Sequence, residues 1–91
     1  MKTPLKLKEK SAFKKDLKRV LSQGKTYGKY RAVILTLLDE EELDPALKDH
    51  PLTGNWKDHR ELHIEPDWLL IYKIAGGYLI LARTGSHAEL F

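Results

Sequence analysis

The chain has 91 residues, enough for one small domain with a modest core. Hydrophobic residues make up 42% and charged residues 32%, the balance of a folded soluble domain rather than a disordered segment. There are no cysteines, which excludes disulfides and thiolate metal sites. No apolar run approaches the length of a membrane span, and the opening MKTPLKLKEK lacks the apolar core of a signal peptide, so a cytoplasmic protein is expected.

The net charge is +3 and unevenly spread. Met1 to Arg31 carries eleven Lys or Arg against two acids, whereas Asp39 to Asp49 carries six acids and one Lys. A basic end on a neutral body is the footprint of a protein that meets nucleic acid, although a solvated helix face explains the same charges equally well.

In chain order, Leu5 and Leu7 alternate with Lys6 and Lys8, which predicts a short edge strand protected by lysines. Ser11 is the expected N-cap of a helix with Phe13, Leu17, Val20 and Leu21 on its apolar stripe, ending at Gly24. Lys14, Lys15, Lys18 and Arg19 lie between the apolar positions and are expected in solvent, docking the protein on RNA phosphates. A second helix is expected from near Tyr27, burying Tyr30, Val33, Ile34, Leu37 and Leu38, and Asp44-Pro45 breaks it. The acids Asp39 to Glu42 have no local reason at a helix C-terminus.

The period then changes to two. Leu62 and Ile64 point one way, and His63 points the other way with Glu61 and Glu65. Pro66-Asp67 is a turn, Trp68 to Ile74 a central strand, Gly76-Gly77 a tight hairpin turn and Tyr78 to Arg83 the next strand. The expected fold is therefore α+β: a short N-terminal strand, two helices, then an antiparallel sheet from the C-terminal half, in a single domain of residues 1–91.

Lys48 to Lys73 concentrates the polar chemistry, holding three of the four histidines and both tryptophans. His59, His63 and Asp67 recur every four residues and would face one another on a helix as a metal site, but strand alternation and Pro66 oppose a helix, so no metal or other cofactor is expected. No phosphate-cradling glycine loop exists, and Ser86 and His87 are sequence neighbours that point apart. What remains is metal-free phosphoryl transfer in RNA, which brings its own 2′-hydroxyl nucleophile and asks the protein for a base, an acid and a cation. His50, His63, Asp67 and His87 are candidates for the proton transfers, Arg83 for the phosphate. Trp68 or Phe91 could stack on an unpaired base, though Trp68 suits the core equally.

At these residues the sequence resembles the YafQ-type toxins, a branch of the RelE/ParE superfamily of bacterial toxin–antitoxin systems. The matching text runs Lys48-Asp49-His50-Pro51-Leu52, Gly54, Trp56-Lys57, Arg60, His63, Glu65-Pro66-Asp67-Trp68, Leu70-Ile71-Tyr72-Lys73, Arg83-Thr84-Gly85, His87-Ala88, Leu90 and Phe91. The resemblance implies a RelE-like microbial RNase fold and a ribosome-dependent mRNA interferase that cuts in the A site without metal. His50, His63, Asp67 and His87 would then do the acid/base work, with Asp67 the better candidate for the base and His87 for the acid. Arg83 would hold the phosphate, and Trp68 and Phe91 would shape the mRNA site. The implied partners are the ribosome and mRNA, and a cognate antitoxin, a dimeric ribbon-helix-helix protein with an acidic toxin-wrapping segment, through which alone operator DNA would be met; no membrane is implied. Two rival readings stand beside it: a non-catalytic nucleic-acid-binding module, and a ParE-like toxin-fold protein acting on gyrase.

Overall fold

A computed structural model describes residues 3–91. Strand β1 (Lys6–Glu9) leads into helices α1 (Ser11–Ser22) and α2 (Tyr27–Leu38). After two 3-10 turns around the short strand β2 (His50–Pro51) come β3 (Arg60–Glu65), β4 (Trp68–Ala75), β5 (Tyr78–Gly85) and a four-residue helix, α3 (His87–Leu90). The strand order is β1-β5-β4-β3-β2. β1 joins β5 in parallel, so the sheet is mixed, with the C-terminal strands antiparallel as the sequence predicts.

Both long helices form where the apolar period predicts. Phe13, Asp16 and Val20 are the buried positions of α1, and Tyr30, Val33, Ile34 and Leu37 those of α2. Ser11 is not the cap: Lys10 occupies that position without a side-chain bond, and Ser11 is the first helical residue. At the other end Gly24 takes φ +93°, while Lys25 N–H reaches Val20 C=O at 3.1 Å and Gly24 N–H reaches Leu21 C=O at 3.1 Å. This 6→1, 5→2 pattern explains why a glycine sits there.

The helices cover one face of the sheet, where Leu62, Ile64, Trp68, Leu70, Tyr72, Leu79 and Leu81 join Phe13, Val20 and the α2 residues in one core. Burial on this scale, about 25 cal/mol per Å² of apolar surface, is the main term holding so short a chain together. The register fixes what the other face carries. His50 pairs Glu61, Glu61 pairs Ile71 and Ile71 pairs Arg83; one pleat further on, His63 pairs Leu69 and Leu69 pairs Gly85. Paired residues share a face. One side of the sheet therefore packs the helices, and the opposite side gathers the polar residues singled out above.

Two irregularities shape that side. Between His63 and Glu65 the β3–β4 register shifts, and Glu65 bonds Lys25 (3.2 Å) and Lys29 (2.8 Å) at the α1–α2 junction instead of staying with His63. Between Ile71 and Tyr72 the β4–β5 register shifts, leaving Ala82 unopposed. A bulge of this kind re-aims the residues beyond it, here Arg83 to Gly85.

Candidate active site

Glu61 is the hub of the open face. It is a strand residue with 4% exposure, and its Oε1 lies 3.6 Å from His63 Nε2 and 3.8 Å from His50 Nε2. Each imidazole is anchored through its other nitrogen: His63 Nδ1 to Pro66 O at 3.1 Å, His50 Nδ1 to Lys48 O at 2.7 Å. A carbonyl oxygen only accepts, so both Nδ1 atoms carry the hydrogen. That leaves each Nε2 as the proton-exchanging atom, turned toward one carboxylate. A buried carboxylate is costly unless a positive partner arrives, and a proton taken by either ring creates one.

His87 closes the group from the end of β5. Ser86 caps α3, accepting Glu89 N–H, while the Glu89 side chain bonds back to Ser86 N–H at 2.9 Å. The capping box places the His87 ring 5.7 Å from that of His63, and His50 stands 6.4 Å beyond on the other side. Asp67, in the β3–β4 turn, accepts His87 N–H at 3.2 Å and faces His87 Nδ1 at 3.3 Å. The backbone N–H of His87, then its side chain, hold the Asp67 carboxyl below its ordinary value. Phe91, 61% exposed, lies 6.3 Å from the His87 ring. A cleft of about 380 Å³ opens beside His63, between Ala46–Lys48 and Ile64–Pro66.

Arg83 is half-buried and tied to Asp16: its Nε donates to Oδ2 at 2.5 Å and its Nη2 to Oδ1 at 3.2 Å. Asp16 also accepts Thr84 N–H at 3.2 Å, because β1 ends its pairing at Leu81 and leaves that edge of β5 to α1. Burial raises the Asp16 carboxyl, but the bonds from Arg83, Arg19 and Thr84 outweigh it and the net shift is downward; Arg83 is shifted up by the same contact.

A family model for the bacterial toxin of type II toxin–antitoxin systems, YafQ, matches residues 5–91. The chain belongs to the YafQ family of toxins. It is 42% identical over 80 residues to the mRNA interferase toxin YafQ of Escherichia coli K12, covering 87% of each chain. It also superposes on a copper-bound mutant toxin from Helicobacter pylori with TM-score 0.91 at 48% identity, covering 96% of this chain and 99% of that one. Against the Escherichia coli DinJ–YafQ complex the TM-score is 0.88 at 38% identity, with 96% and 98% covered.

Of the residues that likeness to YafQ picks out, the fold gathers His50, His63, Asp67 and His87 at one place with Phe91 beside them. Two expectations are corrected. Trp68 has 0% exposure, and its indole N–H donates to Thr84 Oγ1 at 2.9 Å, so it is a core residue with no face for a base. Arg19 is not a free docking cation: its Nη1 meets Asp16 Oδ1 at 2.9 Å, its Nη2 donates to Thr84 O at 3.1 Å and its Nε pairs Glu89 Oε2 at 2.9 Å. Lys14, Lys15 and Lys18 are exposed, as the sequence predicts. The His59–His63–Asp67 spacing collapses as a metal set, because four residues of strand span ~13 Å and His59 instead packs edge-on against Trp56 at 5.2 Å.

Sequence reasoning missed Glu61, the buried acid beside His50 and His63. Its signal was the alternation Glu61-Leu62-His63, which puts a carboxylate and an imidazole on one face. Glu61, His63 and His87 also present donor atoms within 4.8 Å of one another, the one such group among the described residues able to hold a metal ion.

Proposed function

We propose that this chain is the toxin of a type II toxin–antitoxin pair, an endoribonuclease that cuts mRNA in the ribosomal A site by acid/base catalysis without a required metal. The observation that carries the reading is the convergence of His50, Glu61, His63, Asp67 and His87 in one cluster. His63 Nε2 takes the proton of the 2′-hydroxyl, whose oxygen attacks the adjacent phosphorus. The P–O5′ bond breaks, and the leaving oxygen takes a proton from His87 Nε2. Glu61 stabilises the imidazolium formed at His63, and Asp67 holds His87 in register. Asp67, held below its ordinary pKa and engaged with His87, suits this orienting role better than that of base. Arg83 has Nη1 left for the phosphate charge, and Phe91 offers an exposed ring to a base.

A mutant toxin from Helicobacter pylori to which this chain is similar is copper-bound. In this chain two imidazoles and a carboxylate, Glu61, His63 and His87, form a donor set suited to copper or zinc. A metal held there would supply Lewis-acid charge. It would also take the lone pairs that the proton transfers need.

The proposed partners are the ribosome with its mRNA, and a cognate antitoxin: a ribbon-helix-helix dimer that wraps the toxin with an acidic segment and alone touches operator DNA. The site of action is the cytoplasm. The decisive experiment is reconstituted translation with end analysis of the cut message. Fragments with a 2′,3′-cyclic or 3′-phosphate and a free 5′-hydroxyl are expected, and His87→Ala abolishes them. A 5′-phosphate product refutes the 2′-hydroxyl route. Arrest of growth with intact mRNA points instead to a binding module or a gyrase-directed toxin.

A further inference from the structure

Helix α3 carries His87 and ends at Phe91, yet it has four residues. A helix that short does not hold itself; its place has to come from tertiary contacts. Apolar packing supplies little of this. His87, Ala88 and Glu89 are exposed, Leu90 is half-buried, and a cleft of about 360 Å³ lined by Val20, Gln23, Lys25, Trp68, Gly85 and Glu89 opens between the end of α1 and α3.

What bridges that gap is Arg19. Its Nε stands 2.9 Å from Glu89 Oε2, an ion pair without the alignment of a hydrogen bond, while the other oxygen of Glu89 accepts Ser86 N–H at 2.9 Å, so one carboxylate closes the capping box and attracts the α1 cation at once. The remaining guanidinium nitrogens are fixed from below by Asp16 and by the carbonyl of Thr84. The backbone makes room for the side chain: a Cβ on Gly85, whose φ is +155°, would stand 2.7 Å from Arg19 Nη2 and 3.0 Å from Glu89 Oε1. Because Asp16 also holds Arg83, one short stretch of α1 sets both that arginine and the helix bearing His87.

We infer that Arg19 is a positioning residue for cleavage, acting through Glu89 to seat α3 and thereby His87 and Phe91 over the Glu61–His63 pair. The inference rests on the proposed role of His87. It separates Arg19 from its neighbours on the same helix: Lys14, Lys15 and Lys18 face solvent, whereas all three guanidinium nitrogens of Arg19 point inward.

The test compares Arg19→Gln, Glu89→Gln and the double variant in the full chain, with ribosome binding and single-turnover cleavage measured separately. Each single variant is expected to lower the cleavage rate constant by on the order of 10- to 100-fold, the effect of small misplacement of a reacting group. Ribosome affinity and its salt slope stay as in the parent, and the double variant is no worse than the poorer single, since the Arg19–Glu89 contact that the two residues share is already lost in either. Amide exchange at Leu90 and Phe91, whose N–H groups bond Ser86 O and His87 O, should accelerate in both variants. That readout is independent of catalysis: if exchange accelerates but His87→Ala still cleaves, the role of His87 fails and the tether stands. Unchanged exchange, or unchanged cleavage with a flatter salt slope in Arg19→Gln, overturns the inference and returns Arg19 to RNA docking. Should Arg19→Gln not fold, Glu89→Gln on the exposed helix decides by the same readouts.

Discussion

Glu61 and His63 are two apart on one strand, and the pleat turns Oε1 of the first to within 3.6 Å of Nε2 of the second. The ring's other nitrogen is pinned on Pro66 O, so a proton arriving at His63 has one place to go and one carboxylate to meet. Glu61→Gln keeps the shape and removes the charge. Cleavage should fall by about 10²-fold, in the range expected for losing support of one positioned acid or base. The melting temperature should not fall, because an amide is cheaper to bury than a carboxylate. Parent-level cleavage by Glu61→Gln would show that His63 needs no help from it.

Asp67 supports the opposite ring. Held below its ordinary value by His87 N–H, it stays ionised through the neutral range, and the stability it lends α3 is present above the unfolded carboxyl value of about 3.9 and lost only as pH falls below it. The low-pH limb of the activity profile therefore does not belong to Asp67. Asp67→Asn should lower the plateau of cleavage by roughly 10- to 100-fold while leaving the position of that limb unchanged. A limb that moves with this substitution would return Asp67 to the part of base.

Much of this architecture was legible because period and composition carry it. Leu62, Ile64, Phe13, Val20, Tyr30, Val33, Ile34 and Leu37 are buried where spacing puts them, with Leu17, Leu21 and Leu38 half-buried, and the Gly76–Gly77 turn has both residues at positive φ. What the sequence hid is of another kind. An arginine committed to Asp16, Thr84 and Glu89 reads the same in one dimension as an arginine in water. Trp68 alternates like its neighbours, and only the 2.9 Å bond to Thr84 shows how its polar end is satisfied inside the core. The two-residue strand β2 and the four-residue α3 are too short to show a period, yet they seat His50 and His87.

Trp68 and Phe91 therefore part company. Trp68→Ala empties a core position and takes one donor from Thr84 Oγ1, which keeps its own bond to Leu69 O, at a cost of about 3–5 kcal/mol in unfolding free energy. Phe91→Ala removes an exposed ring and should leave the melting temperature near that of the parent, while weakening mRNA engagement by about 1–3 kcal/mol per lost stack. Denaturant melts and cleavage kinetics on the two variants check the assignment. A Trp68→Phe protein that melts like the parent but no longer selects its cleavage sites would put the indole back in the mRNA site.

Metal and proton compete for the same atoms in this reading. Copper(II) or zinc added to the isolated toxin should inhibit cleavage and broaden or shift the His63 and His87 imidazole resonances together, and His63→Ala should weaken the binding about tenfold or more, as loss of a ligand does. Chelation of trace metal, with magnesium kept for the ribosome, should leave cleavage intact. Activity that disappears on chelation and returns with zinc would replace the acid/base route by a metal-assisted one.

Lys14, Lys15 and Lys18 are exposed on α1, on the side away from its buried Phe13, Asp16 and Val20. With Arg19 removed from the docking set, three cations remain to meet ribosomal RNA. Phosphate contacts add affinity without sequence information, and each one contributes roughly 0.7–0.9 to the log–log salt slope. Changing the three lysines to Gln should therefore weaken ribosome binding and flatten the slope by up to about 2–3, while cleavage sites and the rate constant at saturating ribosome stay as they were. The contrast with Arg19→Gln, which should strike the rate and spare the slope, makes the experiment internally controlled. Binding has to be measured on toxin freed of antitoxin, because an acidic wrapping segment would screen the same lysines. If the triple variant binds ribosomes with the parent's slope, the RNA-facing surface of the toxin lies elsewhere and these lysines serve solubility alone.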